Sequence, residues 1–63
     1  MQEWTGTAVG LMHIHGITQG QVGDKMGVTG DYINMILNCK KTPKNAKERV
    51  MTAINEIIKE RGD

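Results

Sequence analysis

Two short apolar runs on either side of Gly27 constrain the fold of this chain most strongly. Before the glycine, Val22 and Met26 are four residues apart, which is the spacing of one face of a helix. After it, Val28 follows at once, and apolar residues resume at helical spacing at Ile33, Ile36 and Leu37. Two short helices that share a small core and are joined by a tight turn show this pattern. We therefore predict a helix-turn-helix unit within residues 18–41.

The segments outside this unit predict two further helices and no strand. A first helix over about residues 4–15 carries an apolar stripe, at Trp4, Ala8, Leu11, Met12 and His15. A last helix over about residues 45–61 carries a broader stripe, at Val50, Met51, Ile54, Ile57 and Ile58. With Thr18 and Thr29 as N-caps, the two helices of the unit extend over about residues 18–26 and 29–38. The prediction is one all-α domain over residues 1–63, a small bundle of four to five helices.

The small size of the chain indicates that its own core gives only marginal stability and that a further stabilising interaction is needed. A domain of 63 residues buries only about 60% of the surface of its unfolded chain. Cys39 is the only cysteine, so no internal disulfide supplements the core. We therefore expect a homodimer whose interface is formed by the last helix, at Met51, Ile57 and Ile58. The alternative for each of these residues is burial within the subunit.

Several other classes of protein are disfavoured by the sequence. No apolar run approaches the roughly 20 residues that span a bilayer, and no basic-then-apolar leader is present, so we expect a cytoplasmic protein without a membrane partner. His13 and His15 are two residues apart and would point to different faces of a helix, so we expect no metal site. Cys39 has no group to orient it as a nucleophile. We expect no enzymatic activity and no cofactor, and no small-molecule ligand is evident.

The positive charge of the chain is concentrated in one segment. The formal net charge is only +1, but residues 18–45 contain four lysines against two aspartates. Lys40, Lys41 and Lys44 lie together just after the second helix of the unit. This distribution is a weak electrostatic signature of nucleic-acid binding, well short of a strongly basic domain.

Residues 18–41 resemble the helix-turn-helix of the lambda repressor/Cro-like family, often called the Xre family. Members of this family usually have a small residue midway along the first helix of the unit, here Gly23, followed by glycine at the turn and apolar residues after it. The run from Ile36 to Pro43 is similar to the family's frequent ending I-x-N-G-K-R-x-P. This chain has Cys39 where that ending has glycine, so we expect the second helix to end differently. Gly20 has no packing role that the sequence reveals.

The resemblance implies that the second helix of the unit places its first residues against base edges in the major groove. Its outward side carries Gly30, Asp31, Asn34, Met35 and Asn38. Asn34 is the best candidate for base recognition, because its amide can pair with N6 and N7 of adenine. Asp31 either accepts a hydrogen bond from cytosine or interacts with the helix dipole. Met35 either contacts a thymine methyl group or is partly buried.

Other residues are better suited to the phosphate backbone than to bases. Gln19, Thr29 and Tyr32 have polar groups near helix starts, and such groups bond phosphate oxygens without sequence preference. We expect Lys40, Lys41 and Lys44 to contact phosphates as well, the alternative being an ordinary solvated loop. The resemblance thus implies a transcriptional regulator that binds double-stranded DNA at a palindromic operator as a dimer. The alternative is a protein-interaction module, such as an antirepressor or a phage-encoded inhibitor, built on the same helical core.

Overall fold

Four α-helices, with no strand, make up residues 3–62, the part of the chain that the computed structural model describes. Helix α1 spans Glu3–His15, α2 spans Gln19–Met26, α3 spans Gly30–Leu37 and α4 spans Ala46–Arg61. The all-α fold class is therefore confirmed. The predicted domain limits at positions 1 and 63 lie outside the described residues.

The core lies where the four helices meet and is built from aliphatic side chains and one methionine. Within residues 3–62 it contains eleven buried residues, which come from every helix and from the α1–α2 connection: Ala8, Met12, Ile17, Val22, Ile33, Ile36, Leu37, Val50, Ala53, Ile54 and Ile57. Burying one large aliphatic side chain contributes about 1.5–3 kcal/mol, so the larger members of this core are its main source of hydrophobic stabilisation. Ile57 is only 7% exposed and belongs to this core, so its side chain is not available to a partner.

The first three helices all end in the same hydrogen-bonded arrangement. In each, a left-handed residue follows the last turn, and its N–H and the next N–H bond back to carbonyls of that turn, which is the Schellman motif. Gly16 and Gly27 supply the left-handed residue after α1 and α2, with φ of 65° and 75°. After α2, the Val28 N–H donates to the Gly23 carbonyl at 2.8 Å. These motifs keep the connections short.

Helix α3 ends in the same motif as α1 and α2, although the sequence predicts that Cys39 changes this end. Cys39 adopts a left-handed φ of 61°, and its N–H donates to the Ile36 carbonyl at 3.1 Å. The Lys40 N–H donates to the Met35 carbonyl at 2.8 Å, which completes the motif. The expectation was wrong because two backbone hydrogen bonds hold the turn despite the unfavourable contact of a Cβ atom in this conformation.

Replacing Cys39 with glycine is expected to stabilise the protein. The left-handed conformation costs a residue with a Cβ about 1 kcal/mol or more, and glycine loses part of this gain through its greater backbone entropy. The net gain of roughly 0.5–1 kcal/mol corresponds to a rise of about 2–8 °C in Tm for a domain of this size. Thermal unfolding under reducing conditions measures it, with Cys39→Ala as the control that removes the thiol but keeps the Cβ. A glycine variant no more stable than the alanine variant would contradict the explanation.

Polar contacts join the C-terminal end of α4 to the end of α1 and to α2. The guanidinium of Arg61 donates to the His15 carbonyl and, at 3.3 Å, to Oε1 of Gln21. Lys25 and Glu60 form an ion pair between the same two helices. Since Arg61 meets the carbonyl end of α1, its charge also interacts favourably with the dipole of that helix. These contacts hold α1, α2 and α4 as one frame on which α3 rests.

Candidate nucleic-acid interface

Helices α2 and α3 form a tight pair because a glycine lies between them. Only residues 27–29 separate the two helices. Gly23 is buried at their contact, and a Cβ atom there would lie 2.6 Å from the Val28 carbonyl oxygen and 2.9 Å from the carbonyl carbon of Thr29. Both neighbours are backbone atoms and cannot move aside as a flexible side chain would. Gly23 therefore permits the close approach that the sequence predicts for it.

A second close approach joins the first turns of the two helices. A Cβ atom on Gly30 would lie 3.2 Å from both the Cα and the backbone N of Gly20. The side-chain position of Gly30 therefore faces α2, and not outward as the sequence pattern suggests. Gly20 also acquires a role that the sequence does not reveal, since its bare backbone is the surface on which α3 begins. The two helix N-termini consequently lie side by side.

The two faces of α3 differ sharply in exposure. Ile33, Ile36 and Leu37 are buried in the core. The exposed face carries the acid of the first turn and three uncharged residues: Asp31, Asn34, Met35 and Asn38. Met35 is 38% exposed, so more than a third of this apolar side chain is accessible on a face otherwise made of polar groups. With only eight residues, α3 presents this face as one short ridge.

The hydrogen bonds on this ridge distinguish its two asparagines. The Asn38 side-chain amide donates to the Asn34 backbone carbonyl at 2.9 Å and so serves the end of the helix. No such bond engages the Asn34 side chain within residues 3–62, and this side chain is exposed. Asn34 thus keeps both its carbonyl oxygen and its NH₂ group for an outside partner. A bidentate contact with a base edge needs both groups.

The polar residues near the helix starts have structural roles of their own. The Thr29 hydroxyl accepts a hydrogen bond from the Tyr32 N–H at 3.1 Å and caps α3, which leaves its own O–H free to donate. Tyr32 is half-buried, packed against the core, and Gln19 is half-buried at the first position of α2. Thr18 and Gln21 form a reciprocal capping box at the start of α2, with bonds of 2.9 and 3.1 Å. The Thr29 hydroxyl remains the clearest donor among the three predicted phosphate contacts.

The lysines after α3 form an exposed segment without acidic neighbours in the chain. Lys40, Lys41 and Lys44 are all exposed in the connection between α3 and α4. No acidic residue occurs from Tyr32 to Lys47, a stretch that contains four lysines. Within the described residues, the three ammonium groups of the connection form no ion pair. We call Lys40, Lys41 and Lys44 the lysine segment; it directly follows the exposed ridge of α3.

Other features of the described chain bear on its possible chemistry. Within residues 3–62, no three His, Cys, Asp or Glu side chains are grouped so as to hold a metal ion. None of the four helices has the length and apolarity that crossing a membrane requires.

The sequence pattern does not identify two exposed apolar side chains on α1, Val9 at 45% and Ile14 at 75% exposure. No local signal marks them, because an apolar residue in a helical pattern is ordinarily assigned to the core.

Comparison with family models, with curated proteins and with solved structures finds no significant match to this chain. Function therefore has to be inferred from the α2–turn–α3 geometry and from the residues on its surface.

Proposed function

We propose that this protein is a sequence-specific DNA-binding transcriptional regulator with a lambda repressor-like fold, of the repressor/Cro type. The observation that carries the proposal is the exposed ridge of α3, continued by the acid-free lysine segment. A ridge of this kind supplies hydrogen-bonding groups for base edges, and the lysines supply positive charge for the flanking phosphates. The close packing around Gly23 supports the proposal because it holds α3 against α2 with the ridge on the outer face.

In this proposal α3 enters the major groove and the rest of the molecule holds it there. Asn34 pairs with an adenine, and Met35 contacts an adjacent thymine methyl group. Thr29 and the first turns of α2 and α3 lie against the backbone of one strand, while Lys40, Lys41 and Lys44 contact phosphates beyond the ridge. The ridge has no arginine or glutamine, so DNA shape supplies part of the specificity.

The proposed regulator acts as a homodimer on a roughly palindromic operator. Two subunits would place their α3 helices in successive major grooves, about 34 Å or 10 base pairs apart. Repression then follows because the bound dimer excludes RNA polymerase. A cytoplasmic location also suits the lone thiol of Cys39.

Replacing Asn34 with alanine is expected to relax the base preference of the protein. Selection of bound duplexes from a random pool first defines the preferred site, and affinities for that site and for random DNA are then compared. The variant should lose about 1–3 kcal/mol of discrimination, because one bidentate amide–adenine contact disappears. Lys41→Ala is the control, since removal of a phosphate contact weakens binding to all sequences alike. Full discrimination by the Asn34 variant would show that another residue reads the base.

The low net charge of +1 favours one other function, that of a protein-interaction module such as an antirepressor. In that case the ridge of α3 would bind a protein surface. The duplex selection separates the two functions, since an interaction module enriches no DNA sequence from the pool.

A further inference from the structure

The last two residues of α4 contact α2 at two places. Glu60 forms an ion pair with Lys25, which lies in the last turn of α2. Arg61 donates a hydrogen bond to the side chain of Gln21, which lies in the first turn of α2. Gln21 and Lys25 are four residues apart, so both lie on the same face of α2. We call these four residues the α4 clamp, because they hold both ends of α2 against the end of α4.

Arg61 contacts the end of α1 as well as the start of α2. One guanidinium nitrogen donates to the His15 carbonyl, and another lies 3.3 Å from Oε1 of Gln21. The same Oε1 atom accepts the Thr18 N–H at 2.9 Å and belongs to the capping box of α2. A planar guanidinium carries several N–H donors in a fixed arrangement and can therefore hold both acceptors at once. Arg61 thus fixes the point at which the chain leaves α1 and enters α2.

The first turn of α2 in turn supports the first turn of α3. Gly20 directly precedes Gln21, and a Cβ atom on Gly30 would lie 3.2 Å from the Cα and N of Gly20. Neither glycine has a side chain that could absorb a shift, and closely packed groups transmit displacement. A movement of the first turn of α2 is therefore passed to the start of α3, where the Thr29 hydroxyl accepts the Tyr32 N–H.

We propose that Arg61 is a positioning residue for the candidate nucleic-acid interface. Through the capping box of α2 and the Gly20–Gly30 contact, it sets the place of the first turn of α3. For DNA binding this inference rests on the proposed function, whereas the coupling from α4 to α3 is a property of the free protein. Arg61 itself contributes no group to the ridge of α3 or to the lysine segment.

Loss of the Arg61 contacts is expected to displace the first turns of α2 and α3 and not to unfold the domain. Arg61 is exposed, and exposed polar contacts contribute little to overall stability. The buried core of the described chain does not include it. Changes at the start of α3 in an Arg61 variant therefore report on position and local order.

Amide hydrogen exchange of the DNA-free protein, resolved by NMR, tests the coupling. Arg61→Ala should speed exchange several-fold at the Gln21 N–H, which belongs to the capping box, and at the Tyr32 N–H in the cap of α3. The Lys40 N–H, hydrogen-bonded just beyond the other end of α3, should exchange as in the wild type. Lys59→Ala is the matched control, because Lys59 is exposed in the same last turn of α4 and carries the same charge. It should leave all three N–H groups unchanged.

Affinity for a selected duplex is the second readout. Arg61→Ala should bind roughly threefold to tenfold more weakly than Lys59→Ala, because the start of α3 is no longer held in place. The slope of log K against log salt should be the same for both variants, whereas a lost phosphate contact lowers it by about 0.9. Arg61→Lys keeps the charge but not the planar fork, so its affinity should be intermediate. Thermal unfolding checks that each variant remains folded.

Four results overturn the inference. Faster exchange at Gln21 with no change at Tyr32 shows that Arg61 acts on α2 alone. Equal acceleration at Gln21, Tyr32 and Lys40 shows a general loss of stability. Equal affinities of Arg61→Ala and Lys59→Ala show that the interface does not depend on Arg61, and a slope lower by about 0.9 for Arg61→Ala shows that Arg61 contacts a phosphate itself. A wild type without DNA affinity defeats only the proposed function, since exchange in the DNA-free protein still decides the coupling.

Discussion

Replacing Gly23 with alanine is expected to destabilise the protein more than the same substitution at Gly10, Gly20 or Gly30, where a Cβ atom would have more room. The new Cβ would lie 2.6 Å from the Val28 carbonyl oxygen, on a backbone that is itself held by the Val28–Gly23 hydrogen bond. Overpacking of this kind costs about 1–3 kcal/mol or more. A 63-residue domain is stable by only about 3–9 kcal/mol, so the loss is a large part of the whole. Tm should fall by roughly 4–24 °C.

Gly10→Ala is the matched control for this prediction. Gly10 lies within α1, and a Cβ atom there would have no neighbour within 4 Å. Alanine at an open helical position gains up to about 1 kcal/mol over glycine, so the same methyl group should raise Tm by roughly 4–8 °C. Opposite signs for the two substitutions are expected in thermal unfolding followed by circular dichroism. If Gly23→Ala unfolds at the wild-type temperature, α2 and the turn before α3 are not in close contact.

Replacing Lys40, Lys41 and Lys44 together with alanine is expected to have the largest effect on DNA binding. Each lysine that contacts a phosphate releases counterions and adds about 0.9 to the slope of log K against log salt. The triple variant should therefore lose about 2.7 of that slope per bound subunit, and its affinity at 0.1 M salt should fall by roughly 10²–10³-fold per subunit. Titration of one selected duplex with protein, monitored by fluorescence anisotropy at several salt concentrations, measures both the slope and the affinity.

Arg49→Ala provides the control for charge alone. Arg49 is exposed on α4, is not one of the three residues of the lysine segment, and lines the groove between α2 and α4. Its removal lowers the net charge by the same amount as any single lysine substitution, so it should be compared with Lys41→Ala. Equal loss of slope from both variants would mean that the lysine segment contributes only general charge. The Tm of all these variants should stay near the wild-type value, because the substituted side chains are exposed.

The fold of this chain could be predicted from sequence wherever the signals are local. Thr18 and Thr29 are N-caps that act within three residues, and Gly16 and Gly27 are left-handed residues that act within the adjoining turn. The prediction for the end of α3 was wrong at Cys39. Its side chain disfavours the left-handed conformation, but the hydrogen bonds of the turn impose it. The left-handed conformation costs a residue with a Cβ atom about 1 kcal/mol, and two backbone hydrogen bonds can outweigh this cost.

The contacts that sequence reasoning missed join residues far apart in the chain. Arg61 reaches the carbonyl of His15, and Lys25 pairs with Glu60, across separations of 46 and 35 residues. No spacing rule connects such positions. Gly20 and Gly30 illustrate the same limit, because each glycine looks unexplained alone and only their meeting in space gives a reason. For the candidate interface, the sequence identifies Asn34 and the lysines, but only the structure shows that Asn38 is engaged with its own helix.

The proposal is that α3 and the lysine segment bind DNA. Its most direct test is the affinity of the unmodified protein for duplex DNA, measured as a function of salt concentration. A duplex selected from a random pool and a scrambled duplex of equal length are titrated at several salt concentrations. We predict that log K falls linearly with log salt for both, with a slope of at least about 2.7 per bound subunit, and that the selected duplex binds more tightly throughout. No measurable affinity for either duplex at low salt, in a protein shown to be folded, would contradict the proposed function.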